Sequence, residues 1–213
     1  REGAARAARW AAFESQSWDF LLLAHHQDDQ AETVLLRLLR GSGTVGLSAM
    51  SPISDRVRGQ VMRPFLGVGR EHLRGYARAN ALAWIEDESN DNQSLDRNFL
   101  RHRILPEMAT RFPHAGNTLA RSARLLEEAD DLLDELARVD LAHAQGEDSL
   151  DLVALKSLGS ARARNALRGY LRSRGMPLPG HARMLEIWKQ LCEARKDGAM
   201  CVRWDGCVVR RYR

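Results

Sequence analysis

The sequence predicts an α/β chain in three consecutive parts: a parallel-sheet layer, a long connecting helix and a small α+β domain. Three observations predict it. An apolar run over residues 18–24 leads through a short polar loop into an amphipathic helix, which is half of a βαβ unit. Residues 113–143 keep a helical period without interruption. Near the end, Asp205-Gly206 stands between two strand-like runs, the strongest short hairpin signal a sequence offers.

Each element follows in order. Residues 2–13, with Ala and Arg around every face, read as a helix. The continuous apolar character of residues 18–24 predicts a strand buried on both faces of a parallel sheet. After His25-His26-Gln27 a helix sets Ala31, Val34, Leu35, Leu38 and Leu39 on one stripe, and Gly41 and Gly43 stop it. Residues 59–65 give a second strand, ended by Pro64. Residues 70–83 read as a helix burying Leu73, Tyr76, Ala77 and Leu82, followed by a polar loop over 86–96 and a helix over 97–108 that must accommodate Pro106. A turn-rich break at 146–149 sets the boundary between domains, giving parts 1–112, 113–146 and 147–213. Helices over 160–174 and 180–194 precede the final hairpin, 200–204 and 207–211.

With 213 residues, 44% of them hydrophobic, the chain can bury a core without metals or disulfides. Its longest purely apolar run, residues 20–24, falls far short of the ~20 residues a membrane-spanning helix needs. No signal-peptide pattern stands at the start, so the expected compartment is the cytoplasm. The chain opens at Arg1 in mid-pattern and stops straight after a strand-like run, which reads as a piece cut at both ends. Cys192, Cys201 and Cys207 form no Cys-x-x-Cys pair, which speaks against a disulfide framework or a four-thiolate zinc site. The net charge of +4 is uneven: residues 127–151 hold ten acids against one base, whereas residues 162–213 carry a local +9. A basic block of that density points to a polyanionic partner, nucleic acid first.

The densest chemistry is His25-His26-Gln27-Asp28-Asp29-Gln30-Ala31-Glu32-Thr33. In an open parallel sheet, ligands bind beyond the carboxyl ends of the strands, where the two histidines fall. One acid suffices to cap the following helix, with Glu32 three residues after Asp29 as in a capping box. A helix N-terminus attracts anions, but two acids repel a bare phosphate unless a cation lies between, so the pattern favours a Mg²⁺–nucleotide. A second group, Asp87-Glu88-Ser89-Asn90 and then Arg97 with Arg101 one turn apart, suits a phosphate-rich ligand or a surface network with Asp87, Asp91 or Asp96.

Taken together these segments resemble the tRNA(Ile)-lysidine synthetase family, a branch of the PP-loop (N-type) ATP pyrophosphatases. The matching pieces are Glu2, Ala5-Arg6 and Arg9-Trp10; the stretch 21–50; Arg63-Pro64-Phe65-Leu66; Asp87-Glu88-Ser89-Asn90; and the segment 97–106. They cover residues 1 to about 112, and residues 150–213 look like the family's middle, substrate-binding domain. The histidine–aspartate string is similar to that of the tRNA thiolases too, but those bring Cys-x-x-Cys pairs that this chain lacks. The family's phosphate loop, a Ser-Gly-Gly-x-Asp-Ser turn, is missing from the sequence and is expected upstream of Arg1.

The resemblance implies a two-step reaction. ATP adenylates the C2 carbonyl oxygen of the wobble cytidine in a CAU-anticodon isoleucine tRNA, releasing pyrophosphate. The ε-amine of free L-lysine then attacks C2 and expels AMP. On that reading Asp29, His25 and Arg6 are catalytic, with Asp29 positioning Mg²⁺ or the lysine ammonium and Arg6 steadying the adenylate. His26, Asp28 and Arg40 serve the nucleotide and Mg²⁺, Asp28 also as the helix cap. Arg97, Arg101, Arg164, Arg168 and Arg172 hold the tRNA backbone. A homodimer is compatible with the reading, and no membrane is involved. The alternatives are a tRNA 2-thiolation enzyme of the same superfamily and a tRNA-binding fragment without catalysis.

Overall fold

The computed structural model describes residues 2–86, 92–146, 149–193 and 200–211. By its contacts the chain forms two compact units, Arg1–Glu128 and Ala129–Arg213. The α/β class predicted above is what both units show.

Unit 1 opens with helix α1 (Glu2–Glu14), then strand β1 (Phe20–Leu22) and helix α2 (Gln27–Leu39). A short helix α3 (Thr44–Leu47) leads into β2 (Ile53–Arg56) and β3 (Gly59–Met62). The sheet order is β1-β3-β2, with β3 parallel to β1 and antiparallel to β2. The predicted parallel pair is therefore present, but burial on both faces is not: Phe20 is 61% and Leu22 65% exposed. Phe20 and Leu22 alternate onto the same face of β1, and that face is left uncovered. Strand β2 had no sequence signal, because Ser54, Asp55 and Arg56 break any apolar alternation and only pairing with β3 makes it a strand. Gly59 is obligatory. Its φ of +154° and a Cβ position 2.3 Å from the Asp19 carbonyl oxygen leave no room for a side chain where β3 begins.

Helix α4 spans Arg70–Ala79, shorter than the sequence suggested; Asn80 caps it and Ala81 adopts φ 52°. Tyr76 and Leu82, expected in its buried face, are exposed, and so are Leu38 and Leu39 at the end of α2. The single helix expected over 97–108 is three pieces. Helix α5 (Asp96–Phe99) runs into a π-helical turn (Leu100–Ile104) and then α6 (Leu105–Arg111). Pro106 explains the break: it has no N–H for the preceding turn, and it sits in the first turn of α6, where none is needed.

Helix α7 (Ala115–Ala142) is the long helix the sequence predicts. The division between the two compact units falls inside it, at Glu128, and Ala137 and Leu141 in its second half are buried in unit 2. Helices α8 (Leu152–Ser157), α9 (Ser160–Ser173) and α10 (His181–Glu193) surround a core that includes Leu155, Leu167, Leu171, Met184 and Ile187. Strands β4 (Cys201–Trp204) and β5 (Cys207–Arg210) close over it as the predicted hairpin. Asp205 and Gly206 both take positive φ, as a two-residue primed turn requires.

Gly169 lets α9 approach α7: a Cβ there would lie 2.6 Å from the Ala137 Cβ. Gly169→Ala is expected to destabilise unit 2 by about 1–3 kcal/mol, read as a lower urea midpoint. Ala137→Gly added to it should restore most of the loss, because the clash is between these two positions.

Candidate functional site

The polar motif at the start of α2 is tied to other elements by almost every side chain. His26 is the N-cap, extended at φ −122°, and its Nδ1 accepts from the Asp29 N–H at 3.4 Å. Asp29 answers by accepting the His26 N–H on Oδ2 at 3.0 Å. The capping box is thus His26 with Asp29, not Asp29 with Glu32. Asp28, expected to cap its own helix, reaches instead to α4, where its Oδ2 accepts the Arg70 N–H at 2.7 Å. Gly69, the N-cap of α4, offers no side chain of its own for that task. The Gln27 N–H donates to the Val68 carbonyl at 3.0 Å, so the first turns of α2 and α4 begin side by side with Asp28 between them.

Farther along α2 the same logic holds. Gln30 is buried and mimics a strand partner: its Oε1 accepts the Met50 N–H at 3.0 Å and its Nε2 donates to the Met50 carbonyl at 2.8 Å. Arg37 donates to the Gly46 and Ala49 carbonyls, which fastens α3 to α2.

Glu32 is fully buried and sits between two guanidiniums. Arg97 Nε donates to Glu32 Oε2 at 2.7 Å, and Arg101 Nε to Glu32 Oε1 at 2.6 Å. The Nη2 of each also donates to Asp29 Oδ1 at 3.1 Å. Two acids and two bases thereby close a box with no net charge. Burial acts most strongly on Arg101 and opposes its charge, but the hydrogen bond to Glu32 and the charges of Glu32, Asp29 and Asp28 together outweigh it and hold the guanidinium above its ordinary value. Such a group contributes stability at every pH below its ordinary value and loses it only as pH rises through the raised one, so the box does not open by titration of Arg101.

This corrects two readings. Arg97 and Arg101, assigned above to the tRNA backbone, have side chains only 26% and 17% exposed and are committed to Asp29 and Glu32. Nor do they form a network with Asp96, which pairs with Arg40 at 3.0 Å on the exposed surface. Glu32 is the residue sequence reasoning undervalued, and its signal was present: a carboxylate on the same stripe as Ala31 and Val34 needs a buried cation.

The remaining predicted residues fall as follows. His25 follows β1, half-buried, next to His26. Arg6 lies on α1, with its side chain outside the described residues, as is the whole of Asp87-Glu88-Ser89-Asn90. In unit 2, Arg164 hydrogen-bonds Ser160, and Arg168 is half-buried on the same helix. Arg172 is bound to Asp134 and lies 3.6 Å from Asp130, so it too is a structural cation. A cleft of about 600 Å³ lies in unit 2 between α7 and α9, and no residue of the α2 motif lines it. Among the described residues no group of three or more His, Cys, Asp or Glu is placed to hold a metal ion. No helix among them is long and apolar enough to cross a membrane.

A helix-start motif at the carboxyl end of a parallel strand, with a second helix beginning beside it, places unit 1 among the α/β domains that bind ligands beyond the ends of their strands. Residues 1–108 match the PP-loop domain, and the chain belongs to that family. Residues 150–213 match the TilS substrate binding domain. Over its whole length the chain is similar to tRNA(Ile)-lysidine synthases, as the motifs indicated. It is 42% identical over 214 residues to the enzyme of Escherichia coli O157:H7, covering 99% of this chain and 50% of that one. It is 47% identical over 216 residues to that of Ralstonia nicotianae, covering 100% and 46%. The Nitrosomonas europaea protein of the same name is 42% identical, with 100% and 47% covered. The chain spans about half the length of the curated relatives it matches.

Proposed function

We propose that the chain is the part of a tRNA(Ile)-lysidine synthase that sets the wobble cytidine and free lysine against an ATP-derived adenylate. The observation that carries the reading is the convergence of the α2 and α4 N-termini at Asp28, directly after His25-His26. Helices of 13 and 10 residues start at the same place, and the positive ends of their dipoles together favour a phosphate-bearing ligand.

In the first step the C2 carbonyl oxygen of the cytidine attacks the α-phosphorus of ATP, and pyrophosphate leaves. In the second the lysine ε-amine bonds to C2, the C–O bond breaks and AMP departs with the electron pair. An enolate-like oxygen is a poor leaving group and AMP a good one, which is why the adenylate is needed. Asp29 Oδ1 is filled by two guanidiniums, and Oδ2 accepts the His26 N–H at 3.0 Å with His26 Nε2 3.5 Å away. That edge suits the lysine ammonium. It suits Mg²⁺ less, since a divalent cation there would lie against Arg97 and Arg101. Asp28 is the carboxylate with charge left over, its side chain 48% exposed, and one such group with ATP phosphates and waters fits Mg²⁺. When bound, the ion neutralises phosphate charge. His25 and His26 would face the nucleotide or the adenylated base and take the proton lost by lysine, and Arg6 would steady the adenylate. The pair Arg40–Asp96 is exposed and worth about 1 kcal/mol at most, so a phosphate can displace Asp96. Arg164 and Arg168 remain on the side of tRNA binding. The setting is the cytoplasm.

The 2-thiolation alternative is disfavoured by the cysteines themselves, since Cys192, Cys201 and Cys207 form no Cys-x-x-Cys pair. The decisive experiment measures labelled lysine entering a CAU-anticodon isoleucine tRNA with ATP and Mg²⁺, using this chain and the full-length protein. Lysine incorporation with matching release of AMP and pyrophosphate is expected from the full-length protein. Its absence from a folded full-length protein would remove the ligase reading, and tRNA binding by that protein would leave the non-catalytic one.

A further inference from the structure

The arginines of unit 2 divide into two sets. Arg162 grips the buried Asp140 with two nitrogens, and Arg172 is held by Asp134 and Asp130, so their charge is cancelled inside the unit. The hairpin is different. Val202 and Trp204 turn inward, and the register sets Cys201 opposite Arg210 and Arg203 opposite Val208 on the outer face. Arg203 and Arg210 are both exposed, diagonal neighbours on that face, with Cβ atoms about 5–8 Å apart. Neither forms an ion pair among the described residues, and the one acid of the hairpin, Asp205, lies in the turn.

Two unneutralised cations side by side on a short ladder oppose one another. We propose that the outer face of the β4–β5 hairpin is an RNA phosphate contact, with Arg203 and Arg210 on neighbouring phosphates of a bound tRNA. The proposal rests on the reading that the chain acts on tRNA and adds where unit 2 touches it. Guanidinium forks rooted at neighbouring positions of one ladder suit successive phosphates. A protein or membrane partner would draw on apolar area, and this face offers only Val208 and Cys201.

Cys201, exposed beside Arg210, is a built-in reporter. With the isoleucine tRNA at ten times its Kd, alkylation of Cys201 by iodoacetamide is expected to slow about tenfold. Replacing both arginines, Arg203→Gln with Arg210→Gln, should lower the slope of log K against log salt by about 1.4–1.8. The lysine pair, Arg203→Lys with Arg210→Lys, should keep the slope, and so should Arg162→Gln with Asp140→Asn, which removes a cancelled pair. An unchanged slope in the glutamine variant, with Cys201 alkylated equally fast in the complex, overturns the proposal alone. A wild-type chain that binds no tRNA overturns it together with the reading beneath it.

Discussion

Replacing Glu32 by Gln is expected to loosen unit 1 by about 3 kcal/mol, the usual cost of breaking a buried ion pair from one side. Glu32 is fully buried and is the acceptor for both Arg97 Nε and Arg101 Nε. An amide in its place turns an N–H toward one guanidinium and leaves two half-buried cations with Asp29 alone. Amide exchange in α2 should accelerate about a hundredfold, while α9, in the other unit, keeps its protection. Arg101→Met on top of Glu32→Gln should then cost less than Arg101→Met by itself, because the partner it abandons is already gone. Unaltered exchange in α2 would show that the box is not what holds α2 to α5 and the π-helical turn.

That box also shows what was legible in the sequence and what was not. The strand, motif and helix order could be read because each leaves a periodic or compositional trace: the apolar run of β1, the stripe of α2, the Asp205-Gly206 turn. The chemistry of the motif was legible as a cluster but not as a division of labour. Asp28 and Asp29 are adjacent and alike in sequence, yet one caps α4, 42 residues away, and the other meets arginines 68 and 72 residues away. No local rule distinguishes them, since the partners arrive only through tertiary packing. The exposure of Phe20 and Leu22 depends likewise on what packs over their face of β1, which a local apolar run does not tell. The π-helical turn had a visible cause in Pro106, but the sequence indicated only that the helix must yield, not where.

The sharpest test of chemistry is Asp29→Asn. The amide oxygen can still accept the His26 N–H, so the cap of α2 is kept, and Arg97 and Arg101 keep Glu32. What is lost is the carboxylate charge that would face the lysine ammonium, together with an acceptor shared by the Nη2 groups of Arg97 and Arg101, which leaves the box one positive charge in excess. Lysine transfer is therefore expected to fall about a hundredfold or more in the full-length protein, within the range attributed to a positioned acid or base. Adenylation should survive, so that adenylated tRNA accumulates when lysine is present, and tRNA affinity should stay within about twofold, because phosphate contacts elsewhere set it. Amide exchange in α2 distinguishes this from damage to the fold. Equal loss of adenylation and lysine transfer would make Asp29 a purely structural member of the box. Loss of tRNA binding by a folded variant would place its carboxylate in the RNA contact instead. Only separation of the two steps fits an acid whose charge serves the incoming amino acid as well as the box.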